Sequence, residues 1–162
     1  MQIEPAQPRD YDQIAAIWDP VIRETTIIFH TVQRTPEMVG DVIVKRRQAG
    51  RDFWVARDGD VVLGFATYDR FRDGDGYDYA MEHSIILTED ARGRGVGRAL
   101  MDVLEAHAAK AGVHVMIAAI DAANASGQAF HAALGYEKVG LMPQVGRKFD
   151  RWLDLVLMQK IL

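Results

Sequence analysis

The sequence predicts an α/β domain with a mixed central sheet of about seven strands flanked by about four helices, and three observations predict it. The apolar residues switch repeatedly between the strand and the helix repeat. A nearly continuous apolar run, Val113 to Ile120, reads as a central strand covered on both faces. An apolar strand ending at Ile85-Ile86-Leu87 runs through a glycine- and arginine-rich loop directly into a helix.

The elements follow in order. Gln2 to Gln7 suits a first short strand, and Pro8-Arg9-Asp10 starts a helix whose Ile14, Ile17, Trp18, Val21 and Ile22 share one stripe. Thr35-Pro36-Glu37 reads as an N-cap with proline at the first helical position, opening a second helix that runs to about Gly50. Phe53 to Arg57 and Val61 to Phe71 are strands joined across Asp58-Gly59-Asp60, a tight hairpin signal. Tyr77 to Leu87 is the next strand, after the turn Asp73-Gly74-Asp75-Gly76. A helix from about Gly95 to Ala111 buries Val96, Leu100, Val103 and Leu104, and Gly112 ends it. Asn124 to Leu134 is a further helix closed by Gly135, and two late strands, about Tyr136 to Leu141 and Trp152 to Lys160, complete the sheet.

Composition bounds the function. With 162 residues, 49% of them hydrophobic, residues 1–162 suit one compact domain, large enough to bury roughly 70% of its unfolded surface. The net charge of −4 argues against general nucleic-acid affinity, so the arginines near residue 94 read as a local site. Absence of cysteine removes disulfides, thiolate metal sites and a cysteine nucleophile together. The scattered His30, His83, His107 and His114 have no metal-ligand spacing, and no metal is expected. No basic-then-apolar leader opens the sequence, and no apolar run approaches the roughly 20 residues of a membrane span. A soluble cytoplasmic protein with no membrane partner is the expectation.

Arg92-Gly93-Arg94-Gly95-Val96-Gly97-Arg98 carries the most chemical information. Its glycines let backbone N–H groups approach an anion, the helix that follows aims its positive end at the same point, and three arginines add charge. A ligand with several phosphates is expected. The nucleotide-triphosphate loop, which ends Gly-Lys-Ser/Thr, is absent. The dinucleotide fingerprint fails as well, because Arg98 or Leu100 stands where its third small residue should be. What remains is Arg-x-x-Gly-x-Gly over Arg92, Gly95 and Gly97, which resembles the pyrophosphate loop of the GNAT N-acetyltransferase superfamily.

The resemblance covers essentially the whole chain, in the order β-α-α-β-β-β-α-β-α-β-β. Met81-Glu82-His83-Ser84, Asp121-x-x-Asn124, His131-x-x-Leu134-Gly135-Tyr136 and the long string from Met142 to Leu155 look like the branch of phosphinothricin and methionine sulfoximine or sulfone N-acetyltransferases. Departures at Ala80-Met81 and Ile85-Ile86-Leu87 fall at apolar strand positions and bear on pocket shape. The resemblance implies acetyl-CoA as co-substrate and a small amino-acid-like amine as acceptor, with direct transfer in a ternary complex and a homodimer as the assembly.

A protonated amine cannot attack a thioester, so a carboxylate that accepts its proton contributes on the order of 10² to 10⁴ in rate. Glu82 is the candidate: it lies mid-strand, where desolvation raises a carboxyl pKa, and by alternation it shares a face with Ser84 and not with His83. The alternative is a structural acid. His131 occupies the superfamily's proton-donor position and is the candidate acid for the departing thiolate, or else a core-edge residue, with Tyr136 a substitute. The resemblance gives Ile85, Ile86 and Leu87 the task of bonding the pantetheine arm through their backbone. It gives Asn124 a cofactor contact beside its capping role. For the acceptor, the loop from Arg72 through Asp75, Gly76 and Tyr77 matches the family's acceptor loop. Arg72 is free there to take a carboxylate and Phe29 to form an apolar wall; solvated turn and ordinary core are the alternatives. The three tryptophans are assigned to core or interface packing. Two other readings stay open: transfer to another small amine, and an acyl-CoA-binding sensor without turnover.

Overall fold

A computed structural model describes residues 1–162. The elements in chain order are β1 (Gln2–Pro5), α1 (Tyr11–Glu24), α2 (Pro36–Gln48), β2 (Phe53–Asp58), β3 (Val61–Arg70), β4 (Ala80–Leu87), α3 (Val96–Lys110), β5 (Val115–Asp121), α4 (Ala125–Ala133), β6 (Glu137–Lys148) and β7 (Arg151–Ile161). The seven strands form one sheet in the order β1-β2-β3-β4-β5-β7-β6. Every neighbouring pair is antiparallel except β4 and β5.

The alternation in each strand assigns the two faces. Tyr68, Met81 and Met116 face one way and pack with Leu100, Met101 and Leu104 of α3. Phe53, Val55, Phe65 and Ile86 face the other way, against Ile14, Trp18 and Ile22 of α1 and Val39 and Ile43 of α2. Phe65 is central to the second layer, with its ring centroid 5.0 Å from those of both Trp18 and Phe53. Full burial of one such side chain contributes about 1.5–3 kcal/mol, so each layer is held by many modest terms. No helix is long and apolar enough to cross a membrane.

Local chemistry shifted several boundaries. Pro8–Asp10 is a separate 3-10 turn before α1, because the Asp10 carboxylate accepts the Gln7 N–H and closes that turn on itself. β4 begins at Ala80, and Asp75–Tyr77 forms another short 3-10 turn where the strand was expected to start. The largest difference is β6, which was expected to stop near Leu141 and instead continues to Lys148. Gly140, Pro143 and Gly146 lie within it, and β6 is an edge strand whose pairing with β7 skips at Lys138/Gly140 and Met142/Gly146. Bulges at an edge absorb both proline and glycine. Trp18 and Trp54 are core, whereas Trp152 is exposed beneath the Arg147 guanidinium, 4.7 Å from the ring centroid.

Candidate active site

The parallel pair β4–β5 is hydrogen-bonded only where Ala80–Glu82 meets Val115–Ile117. Both strands then continue, β4 to Leu87 along β3 and β5 to Asp121 along β7. A wedge-shaped cleft therefore opens after Glu82, and the edge of β4 that carries Ile85, Ile86 and Leu87 has no strand partner on that side. Extended ligands bind such an edge as a surrogate strand, through main-chain groups rather than side chains. α3 follows β4 and α4 follows β5, so both helices start at the mouth of the cleft.

The phosphate loop is built at this mouth. Gly93 and Gly95 have φ of 72° and 78°, a region that side chains resist, and Gly95 is the N-cap of α3. From Gly93 through Arg98 no main-chain N–H donates to an acceptor in the protein; the first to do so is Ala99, to Gly95 O at 3.1 Å. A run of unclaimed donors at a helix start is an anion site that fits pyrophosphate oxygens. Gly97 serves packing as well: a Cβ there would lie 3.0 Å from the Phe130 ring of α4. Val96 is buried and anchors the helix. The arginines divide their tasks. Arg92 is exposed, and Arg94 is half-exposed beside Asp58 at 3.9 Å. The Arg98 guanidinium instead donates to Ala133 O at 3.0 Å, tying α3 to the end of α4, so only its main-chain N–H belongs to the cradle.

Asn124 caps α4 by accepting the Gly127 N–H at 2.9 Å, and it also accepts from the Ser126 hydroxyl at 3.0 Å. Its carboxamide oxygen is thereby committed and its NH₂ is left for a ligand.

Glu82 forms the last rung before the cleft, opposite Ile117 on β5 and Asp69 on β3. Its carboxylate has no hydrogen-bond or ion-pair partner in the protein, and burial holds its pKa above the ordinary carboxyl range. It faces the α1/α2 side, as does the Ile86 side chain four residues further along the strand. His83 and His131 meet on the opposite side, so the sheet separates Glu82 from His131.

His131 Nδ1 lies 2.7 Å from Gly127 O, and because a carbonyl only accepts, Nδ1 carries the proton. The other nitrogen, Nε2, is 2.9 Å from His83 Nε2, which must then be the donor. His83 Nδ1 is left buried without a partner. Burial lowers the pKa of both rings, that of His83 to about 3. His131 is a buried imidazole with both nitrogens engaged. Tyr136 packs against both rings, and its hydroxyl donates to Glu105 Oε1 at 2.9 Å, away from the pair. His83 had been grouped with the scattered histidines. The signal that could have placed it is strand alternation, which puts His83 on the face that α4 covers.

The loop after α1 covers the Glu82 side. Lys148 Nζ donates to Thr25 O at 2.7 Å and Ile28 O at 2.6 Å, and the Thr26 hydroxyl binds the Asp121 carboxylate at the end of β5. Phe29 lies against Gly146 of β6, where a Cβ would come within 2.4 Å of its ring. At the start of β4, Arg72, Asp75, Gly76 and Tyr77 are all exposed, and the Arg72 guanidinium stacks over Tyr77 at 5.4 Å. A carboxylate bound to Arg72 there would be washed by water and weakly held.

The description of a GNAT acetyltransferase family matches residues 18–136. The chain belongs to the GNAT acetyltransferase family. It is an acetyl-CoA-dependent N-acetyltransferase, and the relatives below match it over most of their length. An L-methionine sulfoximine/L-methionine sulfone acetyltransferase of Pseudomonas aeruginosa is 39% identical over 97% of this chain and 92% of its own. A phosphinothricin N-acetyltransferase of Alcaligenes faecalis is 33% identical over 93% of this chain and 77% of its own. Among solved structures, Salmonella typhimurium yncA with its cofactor acetyl-CoA superimposes with a TM-score of 0.95 at 34% identity, covering 100% of this chain and 94% of that one. In this GNAT enzyme the open edge of β4 and the unclaimed N–H groups from Gly93 to Arg98 belong to the same cleft.

Proposed function

We propose that this enzyme N-acetylates a small amino-acid-like amine of the methionine sulfoximine, methionine sulfone or phosphinothricin type, by direct attack on acetyl-CoA in a ternary complex. The observation that carries this reading is Glu82, a half-buried carboxylate without a protein partner at the apex of the cleft. The pyrophosphate lies on the N–H groups of Gly93 to Arg98, near Arg92 and Arg94. The pantetheine arm runs along Ile85, Ile86 and Leu87, with the NH₂ of Asn124 beside it. Phe29 and the loop from Arg72 through Asp75 and Gly76 to Tyr77 border the acceptor.

Glu82 takes one proton from the ammonium group, and the freed lone pair attacks the thioester carbon. The new C–N bond forms as the C–S bond breaks, with the C–S pair leaving on sulfur. The second proton lost from nitrogen balances the thiolate, so one acceptor ammonium and one acetyl-CoA give one amide, one free thiol and one released proton. A thiol is far more acidic than an alcohol or an amine, so the thiolate leaves without an obligatory acid. His131, with both nitrogens engaged, is thereby assigned to positioning α4 rather than to delivering a proton.

Free-thiol release measured with phosphinothricin, methionine sulfoximine, methionine sulfone, ordinary amino acids and polyamines tests the reading. It predicts turnover with the first three. Turnover confined to polyamines would assign a different acceptor, and acetyl-CoA binding without amine-dependent release would mark a sensor.

We also propose a homodimer. It is supported by exposed apolar side chains on the β6 edge and on β7, among them Val139, Leu141, Val145 and Trp152. Light scattering at the monomer mass would contradict it.

A further inference from the structure

Asp121 ends β5 at the mouth of the cleft and is only 4% exposed. Alternation puts its side chain with Ile117, the register partner of Glu82, because Met116, Ala118 and Ile120 pack into the α3 layer. No cation pairs with this buried carboxylate, and each of its oxygens is held by a neutral donor instead. Oδ1 accepts the Ala123 N–H at 3.0 Å, and the Asp121 carbonyl accepts the Asn124 N–H at 2.9 Å, so the residue builds the turn that presents the Asn124 carboxamide. Oδ2 accepts the Thr26 hydroxyl from the loop after α1. That is the loop's one hydrogen bond to β5, and it joins residues 95 apart in sequence. Lys148 holds the same loop from β6, through the carbonyls of Thr25 and Ile28 on either side of Thr26, and Phe29 follows directly.

A buried carboxylate with two hydrogen bonds and no counter-ion depends on each donor. Thr26 and Ala123 share one rigid group, so whatever steadies the turn also fixes the acceptor that Thr26 meets, and whatever draws the loop inward steadies the turn. We propose that Thr26 is a positioning residue that, through Asp121, links the Asn124 turn on the cofactor side to the loop whose Phe29 walls the acceptor, so that coenzyme A and the amine tighten each other's binding. The gain is reciprocal by thermodynamic necessity. This inference rests on the cofactor and acceptor positions proposed above and adds the contact that couples them.

The test compares the parent with Thr26→Val, which keeps the shape and removes the hydroxyl, and with Thr26→Ser, which keeps the hydroxyl. Calorimetry measures methionine sulfone binding with and without free coenzyme A, which forms a ternary complex that cannot react. Coenzyme A should tighten the amine by about fivefold or more in the parent and in Thr26→Ser, and by no more than about twofold in Thr26→Val. Coenzyme A affinity without amine should agree within about twofold in all three. Equal synergy in the three proteins, or a Thr26→Val loss shared by both ligands when each binds alone, would show ordinary loop packing and overturn the inference. The backbone ¹H–¹⁵N spectrum reads the link without any acceptor. Coenzyme A should move the Ala123 and Asn124 amides in every variant, and the Ile27 and Phe29 amides only where residue 26 carries a hydroxyl. Ile27 and Phe29 amides that ignore coenzyme A in the parent, or respond equally in Thr26→Val, overturn the inference whatever the acceptor. Hydroxyl-dependent shifts in a parent that binds no amino-acid analogue leave the link standing and overturn the acceptor reading instead.

Discussion

His83 on β4 and His131 on α4 face each other through their Nε2 atoms at 2.9 Å, joining a helix to the strand that borders the open cleft. The pair is neutral, and its tautomers follow from the Gly127 carbonyl. It carries a pH signature. Both folded-state pKa values lie below the 6.5 of a free histidine, so between those values the unfolded chain binds more protons than the native one. The contribution is complete above about pH 6.5 and is lost as pH falls, toward about 3 for His83. Urea unfolding from about pH 8 down to about pH 4 should show a flatter acid limb for the double variant His83→Leu/His131→Leu than for the parent. His131→Leu alone, which strands the His83 N–H, should cost about 1–3 kcal/mol at neutral pH. Identical acid limbs would mean that the rings are solvated.

Lys148 should govern acceptor binding without touching the cofactor. Its ammonium bridges two carbonyls of the loop after α1, and burial lowers its pKa. Lys148→Met leaves both carbonyls unpaired, at about 1–3 kcal/mol each. We expect a raised KM for the amine with acetyl-CoA affinity unchanged within about twofold. Calorimetry that shows equal weakening of both would place Lys148 in general folding.

The phosphate loop separates two arginines. Arg94→Glu should weaken acetyl-CoA binding by about tenfold at low salt, with the difference shrinking as ionic strength rises, because the charge is half-exposed. Arg98→Gln should lower stability with little salt-dependent effect on affinity, since its guanidinium holds Ala133 O. The reverse pattern would exchange their roles.

The fold and the glycine loop that opens α3 were readable in the sequence because each rests on local rules. Apolar periodicity placed the strands and helices, and Gly95 at positive φ before a helix is a backbone requirement visible in any sequence. β6 was expected to stop near Leu141, because its continuation through Pro143 and Gly146 depends on the edge position and its bulges, which no local pattern displays. The histidine pair and Lys148 escaped for a related reason. Each depends on what another element brings to it: α4 to His83 and the loop after α1 to Lys148. Such relations span from 48 to 123 residues of sequence, beyond any local pattern.

Glu82 opposes stability in its active form. Its folded pKa is raised, so the native state binds more protons than the unfolded one, and stability falls as pH rises through that interval. Glu82→Gln removes this charge at nearly constant shape. We expect it to unfold at a higher temperature than the parent near pH 7, with the gain disappearing below the ~4.3 of an ordinary glutamate. An unaltered midpoint at both pH values would mean that the carboxylate is fully hydrated.

The most direct test of the account is the pH dependence of kcat/KM for methionine sulfone in the parent and in Glu82→Gln, with acetyl-CoA affinity measured alongside. If Glu82 accepts the amine proton, the parent loses activity as pH falls through the raised carboxyl pKa. Glu82→Gln would then be slower by about 10² to 10⁴ near neutrality, and its deficit would shrink as free amine becomes abundant, while it binds acetyl-CoA normally. A variant that keeps the parent's rate and pH profile would contradict the account and return Glu82 to a structural role.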